Sequence, residues 1–405
     1  MASRSTAGRW HVVAQVMPVM VPAFVARVPV GMYSIALLLM LSASSGSYAI
    51  AGAATAGYSA ATGVGAPIAG RLADRRGPVV VLVGLAVMHA VALVALVTLV
   101  YRSPGRPGRG TVAALVGLAA LAGLLQPPVA AVVRAHWSRR FGAEDTALRT
   151  ALAVESTVGE TVFIAGPLLV AGFGVFGGPP VAVLAGAVMT AAGTCWLAAT
   201  TAVRQAPAIT TPAGGRWSAL AVPGLRILVV VQALLFAGFA CVEVGVLATA
   251  EEHGAAWAGG ILLAVWAGAS VAGAIGWAAR DWPGPPRRQL AVLLGAGAVG
   301  TAMVSLPASW PGIAAALVLS GLCIAPAGIV AQTVLSRVAD PARRTESFAW
   351  MTAAAVLGSS AATLCSGWLV EQHGAVAVLR AAALCAALAT VVVVLGRRAL
   401  LPPEG

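Results

Sequence analysis

The chain has 405 residues, 60% of them hydrophobic and only 9% charged, with a mean hydropathy of +0.92 and a net charge of +12. Soluble domains carry about 25% charged residues, so this composition cannot cover a water-facing surface. It excludes a soluble globular enzyme and points to an integral membrane protein with several spans.

A bilayer-crossing helix needs about 20 mostly apolar residues. Twelve such runs follow one another, at 18–41, 47–69, 78–100, 111–133, 149–171, 179–200, 224–248, 256–278, 290–306, 311–334, 348–370 and 377–396. The fourth and fifth are polar at their ends and the ninth is short. The first ten residues are polar, and no small-residue cleavage site follows the first run, so no cleavable signal peptide is expected. An even number of spans puts both termini on one side. With the N-terminus in the cytoplasm, 20 of the 25 arginines fall on the cytoplasmic side. Arg102, Arg106, Arg109 and Arg380 fall on the other, and Arg27 lies within the first run. By the positive-inside rule both ends face the cytoplasm. The expected location is the inner (plasma) membrane, multi-pass, with lipid as the surrounding partner. Arginines confined to short seams between apolar runs are explained by topology, so no nucleic-acid partner is expected.

The longest polar connection, 201–223, carries Pro207, Pro212, Gly214 and Gly215 and reads as a flexible linker. It divides the chain into 1–200 and 224–405, each with six runs. The halves share a pattern. GLLQPPVAAVV (123–133) and GLCIAPAGIVA (321–331) both place a proline five residues after the first glycine, Pro128 and Pro326, at an offset of 198. LLVAGFG (168–174) matches WLVEQHG (368–374) at an offset of 200. Paired repeats around a midplane site are the architecture of many secondary transporters. The expected fold class is therefore all-α integral membrane, with twelve transmembrane helices in two pseudo-symmetric six-helix bundles.

Charges at membrane depth are costly and usually have a partner or a task. Four stand out: Arg27 in the first run, Glu155 and Glu160 in the fifth, and Glu243 in the seventh. Glu155 and Glu160 are five residues apart, so on a helix they point about 140° from one another. Glu160, near the middle of its run with no basic neighbour in view, is a candidate to carry a proton or to recognise a cation, and Glu243 offers the same options. His11, His89, His136, His253 and His373 are scattered, and His89 reads as a packed helix histidine. The five cysteines lie inside apolar runs without CxxC spacing. No lysine is present, which excludes a G-x-x-x-x-G-K-[ST] phosphate loop. No cofactor, metal site or catalytic constellation is expected.

Charge concentrates at one seam, GRLADRRGP (70–78), between the second and third runs. Gly70 allows the second helix to end close against a neighbour. Gly77 and Pro78 turn the chain into the third helix, since proline is tolerated at a first helical position. Asp74 can accept hydrogen bonds from a helix N-terminus and favours its positive end. This stretch resembles the signature loop of the major facilitator superfamily: Gly70, Leu72, Asp74, Arg75 and Gly77 match, while Pro78 and Val79 replace the usual basic pair. With twelve runs, a 6+6 repeat and a central linker, the resemblance covers essentially the whole chain.

The resemblance implies that Asp74, with Arg75 or Arg71, forms a gate that docks on the facing bundle and latches the outward-open state. It implies that the first and fifth spans are neighbours, which would pair Arg27 with Glu155. It implies a cavity lined by the first, fourth, seventh and tenth spans, where Tyr33, Gln126, Gln232, Phe236 and Gln332 are candidates for substrate or proton contact, with Trp266 on the eighth. Gly166-Pro167 in the fifth span resembles the core of a motif associated with exporters. The family's fourth-span arginine is missing, since 111–133 has none. The expected activity is export of a small organic compound by proton antiport, as a monomer. The alternatives are a permease importing a metabolite by symport or uniport, and a membrane-embedded enzyme or assembly factor.

Overall fold

The computed structural model describes residues 2–103, 107–142, 145–204, 219–280, 282–306 and 309–401. Most of the central linker, residues 205–218, lies outside these, as does Asp281 in the seam of the second half. Among the described residues there is no strand. The α-helices are α1 (Ala2–Ser45), α2 (Tyr48–Arg76), α3 (Pro78–Arg102), α4 (Arg109–Leu124), α5 (Val129–Phe141), α6 (Asp145–Gly177), α7 (Pro179–Ala199), α8 (Thr201–Arg204), α9 (Pro223–Glu252), α10 (Ala256–Ala278), α11 (Pro286–Val304), α12 (Trp310–Val338), α13 (Arg344–His373) and α14 (Ala375–Leu395).

Among the described residues ten helices, counting α4 and α5 as one span, are long and apolar enough to cross a membrane. The helices α2 and α11 complete the twelve runs. The first is rich in small and hydroxyl residues, and the second is only 19 residues long and opens on Arg287 and Arg288. The turns are local chemistry. Gly77 (φ 88°) ends α2 and Pro78 starts α3; Gly178 (φ 78°) and Pro179 do the same for α7. Both glycines adopt a left-handed φ that a side chain would strain, and each proline occupies a position whose N–H has no helical acceptor.

The chain forms two compact units: Met1–Arg140 with Val158–Arg216 and Pro341–Ala353, and Phe141–Thr157 with Trp217–Asp340 and Ala354–Gly405. In the first, α1 packs on α7 and α2, α2 on α4, and α3 on α4 and α7. In the second, α9 packs on α14 and α10, α10 on α12, and α11 on α12 and α14. These are the same pairings, helix for helix.

The repeated Gly-Leu…Pro pattern does the same work in both units. Proline has no N–H, so Pro128 leaves the Leu124 carbonyl without its donor four residues on, and Pro326 does the same to Leu322. Each freed carbonyl lies against a glycine of the adjacent helix. A Cβ on Gly65 of α2 would stand 2.5 Å from the Leu124 oxygen, and one on Gly273 of α10 would overlap the Leu322 oxygen. Only Cα–H can meet the carbonyl there, as a weak C–H···O contact. The neighbouring Gly123 and Gly321 face the Tyr58 and Trp266 carbonyls in turn. The units differ in one respect. Pro128 is preceded by Pro127, and a residue before proline avoids the α region, so residues 125–128 leave the helix and the fourth span splits into α4 and α5. The single Pro326 leaves α12 continuous.

Gly123→Ala should therefore lower the thermal unfolding midpoint of the detergent-purified protein, since overpacking costs about 1–3 kcal/mol. Gly84→Ala, at an exposed α3 position with nothing within 4 Å, should leave it unchanged or raise it slightly.

Candidate functional site

The charged seam lies at the end of α2, against the start of α13. Gly70 makes the approach possible: a Cβ there would stand 2.7 Å from the Ala349 Cβ and 2.8 Å from the Thr345 carbonyl oxygen. Asp74, one turn on, lies on the same face of α2. Its carboxylate accepts the backbone N–H of Glu346 at 2.8 Å and of Thr345 at 3.2 Å. These belong to the first turn of α13, whose N–H groups have no acceptor within the helix. Asp74 thus caps a helix from another helix, at the end where the macrodipole favours an anion. Beside it, Arg71 Nη2 donates to Glu346 Oε1 at 2.7 Å. Asp74 and Glu346 are buried, at 7% and 1% exposure, whereas Arg71 is open to solvent on one side. Burial pushes the Asp74 carboxyl above its ordinary value, while the hydrogen bonds from Thr345 and Glu346 and the charge of Arg139 draw it down. Leu72 is half-buried, Arg75 is exposed, and Gly77 makes the turn. Residues Pro341–Ala353 belong to the first unit, so the whole contact is internal to that unit, and α13 runs on from Ala354 into the second.

The corresponding seam of the second unit is built differently. Trp277 and Trp282 stack at 4.5 Å, and Gln289 Nε2 donates to the Trp282 and Gly284 carbonyls, closing a turn in which Gly284 has φ 88°.

A second polar cluster lies inside the first unit. Tyr33 on α1 is fully buried, with its hydroxyl 2.9 Å from Thr190 Oγ1 on α7 and 3.1 Å from His89 Nε2 on α3. His89 Nδ1 meets the Ala122 carbonyl of α4 at 2.8 Å. Tyr58 on α2 donates to Gln126 Oε1 at 2.5 Å, inside the break between α4 and α5. The Tyr33, Tyr58 and His89 rings lie 5.3–6.4 Å apart. Tyr33 and Gln126 were expected at a site, but their partners Tyr58, His89 and Thr190 were not. The only sequence signal for these was a polar residue in each of three apolar runs.

The remaining candidates lie on α1, α6, α9, α10 and α12. Gln232 is half-buried on α9 and Glu243 is exposed on the same helix. Eleven residues apart, they differ by about 20° around the axis and share one face. Phe236 and Phe239 lie between them, with ring centroids 5.3 Å apart, and Phe239 meets Trp266 edge-on at 5.7 Å. Glu160 falls within α6, but its side chain lies outside the described residues. Glu155 is fully buried. Arg27 is half-buried, with Nη2 3.3 Å from where a Cβ on Gly159 would stand. Gly166 crosses Gly31 of α1 so closely that no side chain fits between them, and α6 continues through Pro167. Among the described residues no group of three His, Cys, Asp or Glu side chains could hold a metal ion.

The Major Facilitator Superfamily sequence pattern matches residues 19–309, more than half of the chain. No curated protein matches the sequence. Among solved structures, a bacterial homologue of the iron transporter ferroportin in the outward-facing state is similar over 94% of this chain and 98% of its own, with 13% identity and a TM-score of 0.77. The human organic anion transporter MFSD10 (TETRAN) is similar over 93% and 99%, with 16% identity and a TM-score of 0.69. The Escherichia coli fucose:proton symporter FucP is similar over 95% and 99%, with 14% identity and a TM-score of 0.69. At these identities the likeness concerns the fold.

Asp74→Asn keeps the shape but cannot accept from both N–H groups, leaving one buried donor unpaired at about 1–3 kcal/mol. Hydrogen–deuterium exchange over residues 341–353 should accelerate in this variant and stay at the wild-type rate in Arg75→Gln, whose side chain is exposed.

Proposed function

The chain belongs to the Major Facilitator Superfamily, whose members are multi-pass membrane transporters and not enzymes, and on that premise we propose that it exports a small organic molecule in exchange for protons. The observation that carries this reading is the buried Asp74 cap on α13. Alternating access needs a closure that is strong when made and easily unmade. Two backbone hydrogen bonds and one ion pair, all at helix ends, meet that need: they involve no large apolar burial and respond to a small shift of either helix. By the arginine bias the seam lies on the cytoplasmic side, as do both termini. Residues 1–200 and 224–405, joined by the linker 201–223, are the proposed moving bundles, with the first turn of α13, which packs in the first compact unit, as the part that the closure would release. The Gly31–Gly166 crossing supports the exporter direction, because it is the close approach that the Gly166-Pro167 pair implies.

Glu160 and Glu243 are the proposed proton or cation sites, and Gln126 and Gln232 the polar contacts of the substrate, with the fully buried Tyr33 acting only through the hydrogen bonds of the polar cluster. Glu243 shares its face with Gln232 and two phenylalanines, an arrangement suited to a flat cation, whose charge is attracted both by a carboxylate and by aromatic faces. The protein works as a monomer surrounded by lipid.

The test is efflux of ethidium from cells expressing wild type, Glu160→Gln or Glu243→Gln, with and without a protonophore. Wild-type efflux should stop with protonophore and fall at least tenfold in one of the two variants. Ethidium efflux that continues with protonophore present would end the proton-coupling claim. Protonophore-sensitive accumulation in place of efflux would favour an importing symporter, the activity that the name of FucP describes for that protein.

A further inference from the structure

The break in the fourth span leaves a carbonyl that the polar cluster takes up. In a regular helix the Gln126 N–H would bond the Ala122 carbonyl. Here it turns to Gly123 at 3.1 Å, and Pro127 and Pro128 have no N–H to offer. Ala122 O is therefore free, and His89 Nδ1 meets it at 2.8 Å.

A carbonyl only accepts, so Nδ1 must carry the hydrogen. On a neutral ring Nε2 is then an acceptor, and the group within reach is the Tyr33 hydroxyl at 3.1 Å. Once Tyr33 has donated its one hydrogen, its oxygen accepts from Thr190 at 2.9 Å. The chain has one direction: Thr190 to Tyr33 to His89 to Ala122. It ties one side of the break to α7, α1 and α3. The Tyr33 ring fits because Gly186, one turn before Thr190, has no side chain: a Cβ there would stand 2.9 Å from Cε1. The other side of the break is held by Tyr58, which occupies Gln126 Oε1 and leaves the amide hydrogens as what Gln126 offers.

The groups facing His89 are Tyr33 from α1, Tyr58 from α2 and the Ala122 carbonyl from α4, with Thr190 from α7 reached through Tyr33. Arg204 on α8 is exposed and is not a hydrogen-bond partner of the ring. Among the described residues nothing charged bonds His89, and the ring is fully buried, which fits a neutral imidazole. Among the described residues the second unit has no such chain. Ile324 stands in the place of Gln126, Trp266 in that of Tyr58, and α12 is unbroken. The network is therefore not a by-product of the duplication.

We propose that His89 is a positioning residue for transport: neutral and protonated at Nδ1, it holds the Ala122 carbonyl and so sets the break from which Gln126 is presented. The role in transport rests on the reading above, but the two measurements that test it do not need a substrate. Protein carrying 15N-histidine in lipid nanodiscs, with the His89 signals identified by their loss in His89→Asn, should show the neutral Nδ1–H tautomer; the Nε2–H tautomer would overturn the proposal. Hydrogen–deuterium exchange over residues 119–133 should be about tenfold faster in His89→Leu and His89→Gln, since each leaves the buried Ala122 carbonyl without its donor. His89→Asn, whose amide nitrogen can stand where Nδ1 stood, should match wild type. Equal exchange in all three variants, fast or slow, would reduce His89 to packing and overturn the proposal. Loss of proton-driven ethidium efflux as a reading of function would leave both measurements standing, so the two claims fail separately.

Discussion

Inside a bilayer a backbone carbonyl has no water to turn to, and this constraint governs the interior of both units. Prolines in the fourth and tenth spans free carbonyls that must be met by something else. Glycines on the adjacent helices meet two of them with Cα–H, at Gly65 and Gly273. A histidine meets the third, at Ala122. The close crossings of α2 with α4 and of α10 with α12 follow from this, because a helix bearing a side chain at those positions could not come near enough. The glycine content of this chain is therefore a packing requirement at specific contacts and not mere flexibility.

The same logic at the helix ends produces the seam. The first N–H groups of α13 have no acceptor in their own helix, and a carboxylate from α2 supplies one for two of them. An interaction of this kind is strong only in register. A shift of a few tenths of an ångström at Gly70 would stretch both bonds together, because Gly70 and Asp74 are one turn apart on one rigid helix. The ion pair of Arg71 with Glu346 adds orientation more than strength, since an exposed guanidinium is screened by water.

The two units share their helix pairings but not their chemistry. The first holds a buried polar chain and a broken span; the second holds an edge-on aromatic pair, Phe239 with Trp266, and a hydroxyl pair, Thr301 with Ser320 at 3.0 Å. In proteins built by duplication the common scaffold sets where helices cross, and substitutions at a handful of positions set what each half can bind. Here Gln126 against Ile324, and Pro127 against Ala325, mark the divergence most clearly.

The sequence by itself determined the membrane-spanning class, the twelve runs, the repeated pattern of the two halves and the turn residue Gly77. These depend on composition, on hydrophobic length and on local backbone preferences, all of which are written in order along the chain. It also singled out Asp74, Tyr33 and Gln126 by residue type. The tertiary structure alone decided the partners. Glu346 and Thr345 lie more than 270 residues from Asp74, and Thr190 lies 157 from Tyr33; no local pattern encodes such pairs. Likewise, the fourth span reads as one run in the sequence, and its break, the carbonyl it releases and the histidine that takes it depended on how α3 packs against α4. Hydrogen bonds are directional and short, so their assignment waits on the positions of neighbouring helices, while hydrophobic burial and turn geometry do not.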